Sequence, residues 1–290
     1  MAKIHSILVI FGVLLGCFSL RFVDGSDNIG SICQTLWNED SNSLVNGVDF
    51  QLNLQNQLPY HNRYDMASRK LFLRVNEQKL KSPTFVAFKA LLDNYVSKTG
   101  ITESSSSQEK SEISRFLTAI MGTKPIKALH KYLVSQGKAP TSESSFKHAL
   151  KVMWFYFYRR KAYRDSSGFE HVFLGETKTQ NGATEITGFH NWLQFYLEEK
   201  RNSANYYGFF KVRKYTAPVQ LKLQLSWHNY LKPVTSVFLG TSPEFEIGLY
   251  TACFVLRPNL KCNCAVNGQT IAIQSYTQST RYVGSAFPII

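Results

Sequence analysis

The hydrophobic pattern of this chain changes period near Arg164, and that change limits the fold more than any other feature. Upstream, apolar residues recur at helical spacing between clear stop signals. Ser82-Pro83 offers an N-cap and a first-turn proline, Phe85, Phe88, Leu92 and Tyr95 follow on one face, and Gly100 closes the run. A second helix is expected after the polar stretch 103–107, carrying Ile113, Phe116, Leu117 and Ile120 to Gly122. A third, over residues 125–137, carries Ile126, Leu129 and Leu133, and a fourth runs from Ser142 into Trp154-Phe155-Tyr156. Downstream, the pattern shortens to alternating runs. Residues 169–176 and 184–187 read as strands on either side of Asn181-Gly182, and residues 266–274 carry Asn267-Gly268, a dipeptide favoured in tight hairpins. One helix interrupts this half, over residues 191–200. The expectation is an α+β fold with a mainly helical portion (26–160) and a β-rich portion with antiparallel pairing (161–290).

Residues 1–25 stand apart from both. Lys3 precedes an apolar run over residues 7–15, and small and polar residues follow at Asp24-Gly25-Ser26. That layout is expected of a secretory signal peptide, its core too short to span a bilayer. No later stretch has the length of a transmembrane helix, so a secreted, monomeric protein is expected. Cys17 would leave with the signal. Cys33, Cys253, Cys262 and Cys264 would remain, and in an oxidising compartment they permit three complete pairings. A metal site on Cys262-x-Cys264 is the alternative. The formal charge of +13 favours a polyanionic partner, nucleic acid or an anionic surface.

Among the histidines, His130 and His148 fall in helical segments and read as partly buried structural groups. His171 and His190 lie instead beside expected turns, in segments dense in glycine and aromatic residues. Folding about Asn181-Gly182 would bring them together. Two imidazoles suit a reaction that removes one proton and supplies another near neutral pH. RNA cleavage is such a reaction: a 2′-hydroxyl must lose its proton to attack the adjacent phosphate, and the departing 5′-oxygen must gain one. A cation would stabilise the charge that builds on phosphorus, and Lys232 is the candidate. A zinc site on His171, Glu176 and His190 is a rival reading of the same residues.

Four ordered segments resemble the EndoU-type uridylate-specific endoribonucleases: Ser167-Gly-Phe-Glu-His-Val-Phe-Leu-Gly-Glu176, Gly188-Phe-His-Asn-Trp192 with its continuation to Lys200, Lys232-Pro-Val-Thr-Ser236, and Gly240-Thr-Ser-Pro-Glu-Phe-Glu246. The likeness runs from about Ile32 to the C-terminus. It implies a helical N-terminal portion packed on a catalytic portion of two antiparallel β-sheets with flanking helices. It also implies cleavage of single-stranded RNA 3′ of uridines to a 2′,3′-cyclic phosphate. By position, His190 matches the catalytic base, His171 the acid and Lys232 the lysine. Ser236 matches the contact to the uracil edge and Tyr276 the aromatic on which base or sugar packs. The resemblance further implies activation by Mn2+ or Ca2+, with Glu170 and Glu176 as the nearest carboxylates, orienting the histidines or binding an ion. Thr235 departs from the family, many of whose members have glycine there, which bears on base selectivity. His228 matches no catalytic position.

Two other functions compete. A catalytically silent RNA- or polyanion-binding protein would use Arg159-Arg160-Lys161 and Lys211-Val-Arg-Lys214 with their neighbouring tyrosines. A hydrolase built on Ser236 or Ser242 lacks a nucleophile-elbow pattern.

Overall fold

The computed structural model describes residues 26–290; the expected signal peptide and its cleavage point lie outside the described residues. The chain opens with α1 (Ser26–Asn38), a short ribbon of β1 (Phe50–Leu52) and β2 (Phe72–Val75), and α2 (Pro83–Lys89). Three longer helices follow: α3 (Ser107–Met121), α4 (Lys124–Ser135) and α5 (Glu143–Phe155). The second half holds the hairpin β3 (Glu176–Gln180) and β4 (Ala183–Thr187), then α6 (Trp192–Lys200). Strands β5 (Ala204–Arg213), β6 (Val219–Trp227) and β7 (Tyr230–Leu239) form one three-stranded antiparallel sheet. After α7 (Pro243–Leu256), strands β8 (Lys261–Val266), β9 (Gln269–Gln278) and β10 (Tyr282–Ile289) form the second. The architecture is therefore α+β, as the change of period and the family resemblance imply.

Local chemistry accounts for the expected helices. Ser106 and Glu109 form a reciprocal capping box at the start of α3, and Ser142 caps α5 by accepting from the Ser145 amide. Three expectations are corrected. Helix α2 stops at Lys89 rather than running toward Gly100, and the chain tightens into turns in which the amides of Leu91 and Leu92 bond to the carbonyls of Phe88 and Lys89. Asp93-Asn94, weak helix formers, follow immediately, while Leu92 and Tyr95 still pack on the core. Helix α7 is a second helix in the β-rich half. Ser242 caps it and Pro243 occupies its first turn, but it is buried on all sides from Pro243 to Phe254 and so shows no amphipathic period. His148 is exposed: Phe146, Leu150 and Trp154 define the buried face of α5, and position 148 points away from it. His130 is a buried structural group, its Nε2 2.7 Å from the Pro140 carbonyl and its ring stacked on Phe146.

One hydrophobic core joins the two halves, from Leu36 on α1 through Phe116 and Trp154 to Tyr250 and Ile273. Disulfides Cys33–Cys264 and Cys253–Cys262 fasten α1 to β8 and α7 to β8. This pairing replaces the Cys-x-Cys metal alternative. No helix among the described residues is long and apolar enough to cross a membrane.

Candidate active site

The segment expected as a strand over residues 169–176 is helical as far as Leu174, and only Glu176 belongs to a strand. Ser167 and Glu170 cap each other, the Glu170 amide donating to Ser167 Oγ and the Ser167 amide to Glu170 Oε2, and a π-helical turn, Glu170–Leu174, follows. The Ser-x-x-Glu spacing was the sequence signal for it. Phe169 and Phe173, four residues apart, enter the core together, which alternation along a strand and a helical turn both allow. Gly175, at φ +91°, turns the chain out into β3.

The β3–β4 hairpin then returns the chain to the π turn. Asn181 and Gly182 both have positive φ, the requirement of a tight type I′ turn, and the strands pair from Gln180↔Ala183 to Glu176↔Thr187. Beyond the pairing, the Phe189 amide donates to the His171 carbonyl at 3.0 Å and the His190 amide to the Val172 carbonyl at 2.7 Å. Gly188 makes this approach possible: at φ +64°, a Cβ there would lie 1.7 Å from the His171 carbonyl oxygen.

His171, His190, Lys232, Ser236, Tyr276 and Phe287 line one cavity of about 560 Å³. The two imidazoles have opposite partners. His171 Nδ1 lies 2.6 Å from Glu176 Oε2, and Arg160 Nε is 3.3 Å from the same carboxylate oxygen. Burial holds His171 below the ordinary imidazole range, Arg160 pushes the same way, and Glu176 opposes both. His190 Nδ1 faces the Ser236 carbonyl at 3.2 Å and Thr235 Oγ1 at 3.1 Å. Thr235 Oγ1 donates its own proton to the Phe189 carbonyl, so toward His190 it acts as acceptor and Nδ1 carries hydrogen. The other ring nitrogen, Nε2, is then left with a lone pair. Burial, followed by the charges of Lys232 and His171, drives His190 well below the ordinary range. The neutral state thus belongs more firmly to His190, and the carboxylate-backed ring is the better holder of a proton.

Lys232 is buried on β7, with Nζ 3.3 Å from the Ile186 carbonyl; burial pushes its pKa down to about 8 against the opposing charge of Glu185. Ser236 Oγ donates to the Pro288 carbonyl, which leaves its lone pairs for the cavity. Tyr276 is 48% exposed, an accessible ring beside Phe287.

Several sequence expectations need revision here. Glu176 supports His171, but Glu170 meets neither imidazole. It sits beside Glu103, and burial with the charges of Glu176 and Glu103 holds its carboxyl well above the usual range. The rival zinc reading fails on geometry: His171, Glu176 and His190 do not bring one ligand atom each within 4.8 Å of one another, and among the described residues only the disulfide-bonded Cys253, Cys262 and Cys264 do so. Mn2+ or Ca2+ would need several oxygen ligands. Glu170 and Glu176 are turned inward to other partners, and Glu185 is the single acidic side chain on the cavity wall. The donor set therefore does not fit a hard cation at the catalytic cavity.

Two supports went unread in the sequence. Thr235, in the sequence only a departure from the family's glycine, supports His190 through its hydroxyl. Glu246 accepts from Thr241 Oγ1 at 2.6 Å and from Asn191 Nδ2 at 3.3 Å, while Asn191 caps α6 by accepting from the Gln194 amide. The last of the four motifs thereby holds the helix start directly behind His190. His228, in the β6–β7 turn, lies with its ring tilted against that of Trp227 and does not line the cavity.

The profile of the family Endoribonuclease XendoU matches residues 28–288. Uridylate-specific endoribonuclease B of Danio rerio is 38% identical over 276 residues, covering 92% of this chain and 97% of that protein. Poly(U)-specific endoribonuclease of Xenopus tropicalis is 38% identical over 275 residues, covering 90% and 93%. The solved structure of XendoU, described as a splicing-independent snoRNA-processing endoribonuclease, superposes with a TM-score of 0.74 at 38% identity, over 90% of this chain and 96% of that one.

Proposed function

The chain belongs to the Endoribonuclease XendoU family, and from that premise we propose that it is a secreted, uridylate-specific endoribonuclease that cleaves single-stranded RNA 3′ of uridines, leaving a 2′,3′-cyclic phosphate. The observation that carries this reading is the pairing of two differently backed imidazoles, His190 on a carbonyl and a hydroxyl and His171 on a carboxylate, in one cavity with a buried lysine.

His190 Nε2 takes the proton of the uridine 2′-hydroxyl, and the 2′-oxygen attacks the adjacent phosphorus. The bond from phosphorus to the 5′-oxygen breaks as protonated His171 delivers its proton to that oxygen. The products are a 2′,3′-cyclic phosphate and a 5′-hydroxyl. Lys232, charged over most of the neutral range, stabilises the negative charge that builds on the phosphoryl oxygens. Ser236 Oγ, its proton committed to Pro288, is oriented to accept a hydrogen bond. Uracil N3–H donates one, whereas cytosine N3 does not. Tyr276 offers the face on which the base or sugar packs. No step requires an ion, and Mn2+ or Ca2+ activation is a separate arm of the assay. The two disulfides support an oxidising destination and hence secretion.

The test is a short RNA with one uridine beside the same strand carrying 2′-deoxyuridine, each with Mn2+, Ca2+ or chelator. Cleavage of the first alone, ending in a cyclic phosphate, is expected. A folded protein that cleaves neither under any condition belongs to the silent RNA-binding reading. His171→Ala and His190→Ala are expected to abolish cleavage while the protein stays folded.

A further inference from the structure

Two further cavities adjoin the catalytic one, each sharing a different pair of its lining residues. The first, about 310 Å³, shares Lys222 and Val234 with the catalytic cavity and adds Tyr60, His61, Arg63 and Phe210. The second, about 270 Å³, shares His171 and Thr187 with it and adds Arg159, Arg160, Lys161 and Lys178. Neither wall holds a carboxylate.

The two differ in chemistry. The Tyr60 groove is aromatic as well as basic: Tyr60 is 81% exposed, and its ring meets His61 edge-on at 4.7 Å. A lone exposed ring of that size suits stacking of an unpaired base, with Arg63 and Lys222 within the same wall for a phosphate. The other cavity is a cationic cup. Arg160 is fixed by Tyr158, Ser166, the Gly284 carbonyl and Glu176, and Lys161 Nζ bonds to the Thr179 carbonyl at 2.9 Å. Lys178 makes only a 4.0 Å surface pair with Glu185, and the exposed Arg159 side chain has no hydrogen bond or ion pair among the described residues. Fixed and loosely held cations together, with no carboxylate on the cavity wall, suit a phosphate.

Resting on the acid and base roles given above, we propose that the cationic cup binds the phosphate on the 3′ side of the leaving nucleotide and that the Tyr60 groove binds the nucleotide 5′ of the cleaved uridine. The cup adjoins His171, which protonates the 5′-oxygen of the leaving nucleotide, so that nucleotide and its own 3′-phosphate lie on the cup side. The strand therefore runs 5′ to 3′ from Tyr60, over Ser236 and the two imidazoles, to Arg159 and Lys178.

The experiment compares UpA, UpAp and ApUpA on the wild type, on the double variant Arg159→Ala/Lys178→Ala and on Tyr60→Ala/Arg63→Ala, each shown to be folded by circular dichroism. In the wild type, kcat/KM for UpAp is expected to exceed that for UpA by about tenfold, and ApUpA to exceed UpA similarly. Within the Arg159→Ala/Lys178→Ala protein the UpAp to UpA ratio falls to about one while the ApUpA to UpA ratio persists; Tyr60→Ala/Arg63→Ala does the reverse. Ratios that survive in both variants, a wild type indifferent to the added phosphate, or exchanged effects would overturn the assignment. If the wild type cleaves no substrate, it is the catalytic reading that fails. Titration with the non-cleavable 2′-deoxyuridine analogues then reads the cup alone, where the 3′-phosphate must still tighten binding to the wild type and not to Arg159→Ala/Lys178→Ala.

Discussion

Replacing Thr235 by valine keeps the side-chain shape and removes one hydroxyl, and that hydroxyl has two jobs. It donates to the Phe189 carbonyl at 2.9 Å and accepts from His190 Nδ1 at 3.1 Å. In Thr235→Val the imidazole keeps the Ser236 carbonyl at 3.2 Å as its remaining acceptor. Losing one buried neutral hydrogen bond from the catalytic base is worth about 1–2 kcal/mol in orientation, which is roughly a 5- to 30-fold fall in kcat. The Phe189 carbonyl, stripped of this donor, adds about 1–3 kcal/mol of lost stability, equivalent to a fall of several degrees in Tm for a chain of this size. An acceptor on Nδ1–H favours the imidazolium form, so its removal moves the acidic limb of the pH–rate profile to lower pH. Because the hydroxyl is committed to His190 and Phe189, the preference for uridine over cytidine is expected to be unchanged. The assay is single-turnover cleavage of a one-uridine RNA from pH 5 to pH 9, beside thermal melts, with Thr235→Ser as the restoring control. A valine variant with wild-type kcat, pH profile and Tm would refute the reasoning, as would a serine variant impaired as badly as the valine one.

Three other outcomes follow from the same geometry. Glu176→Gln removes the carboxylate that favours the protonated form of His171, so the basic limb of the pH–rate profile moves down by about one unit or more and activity at pH 8 falls further than at pH 6; a parallel drop at every pH would show that Glu176 acts only in folding. Burial raises Glu246 to about 8, so its contribution to stability is fully present below the ordinary carboxylate range and is lost as pH climbs through about 8. Urea unfolding at pH 5 and pH 8 should therefore show Glu246→Gln gaining on the wild type at the higher pH by on the order of a few kcal/mol, and identical pH slopes would contradict the assignment. Replacing Cys33 and Cys264 together by alanine opens a crosslink between residues 231 apart, against a separation of 9 for Cys253 and Cys262. The first pair is expected to cost up to about 4–5 kcal/mol in thermal or denaturant unfolding, and the second less.

What the sequence determined by itself was local. The change of period near Arg164 placed helices before strands, because amphipathic spacing is set within a few residues. Asn181-Gly182 announced the hairpin that returns the chain to His171, because a type I′ turn demands positive φ at both positions and these residues adopt it readily. The ordered motifs around His171, His190, Lys232 and Glu246 pointed to the family for the same reason: each is a contiguous run. Where local rules competed, the tertiary structure decided. Phe169 and Phe173 satisfied alternation and helical spacing equally, and the mutual capping of Ser167 with Glu170 tipped the segment into a π turn. Helix α7 was invisible to periodicity because helices and strands surround it on every side, leaving no polar face to reveal its turn length. The roles of Glu170 and Glu176, alike on paper, separated only when folding set one against Glu103 and the other against His171. Thr235 stands in the sequence only as a departure from the family's glycine; on β7, packed against Phe189 and His190 in the link between β4 and α6, its hydroxyl joins the Ser236 carbonyl in fixing which nitrogen of the base carries the proton. Residues 46, 65 and 97 positions apart meet through pairing and burial, and no local pattern encodes such meetings.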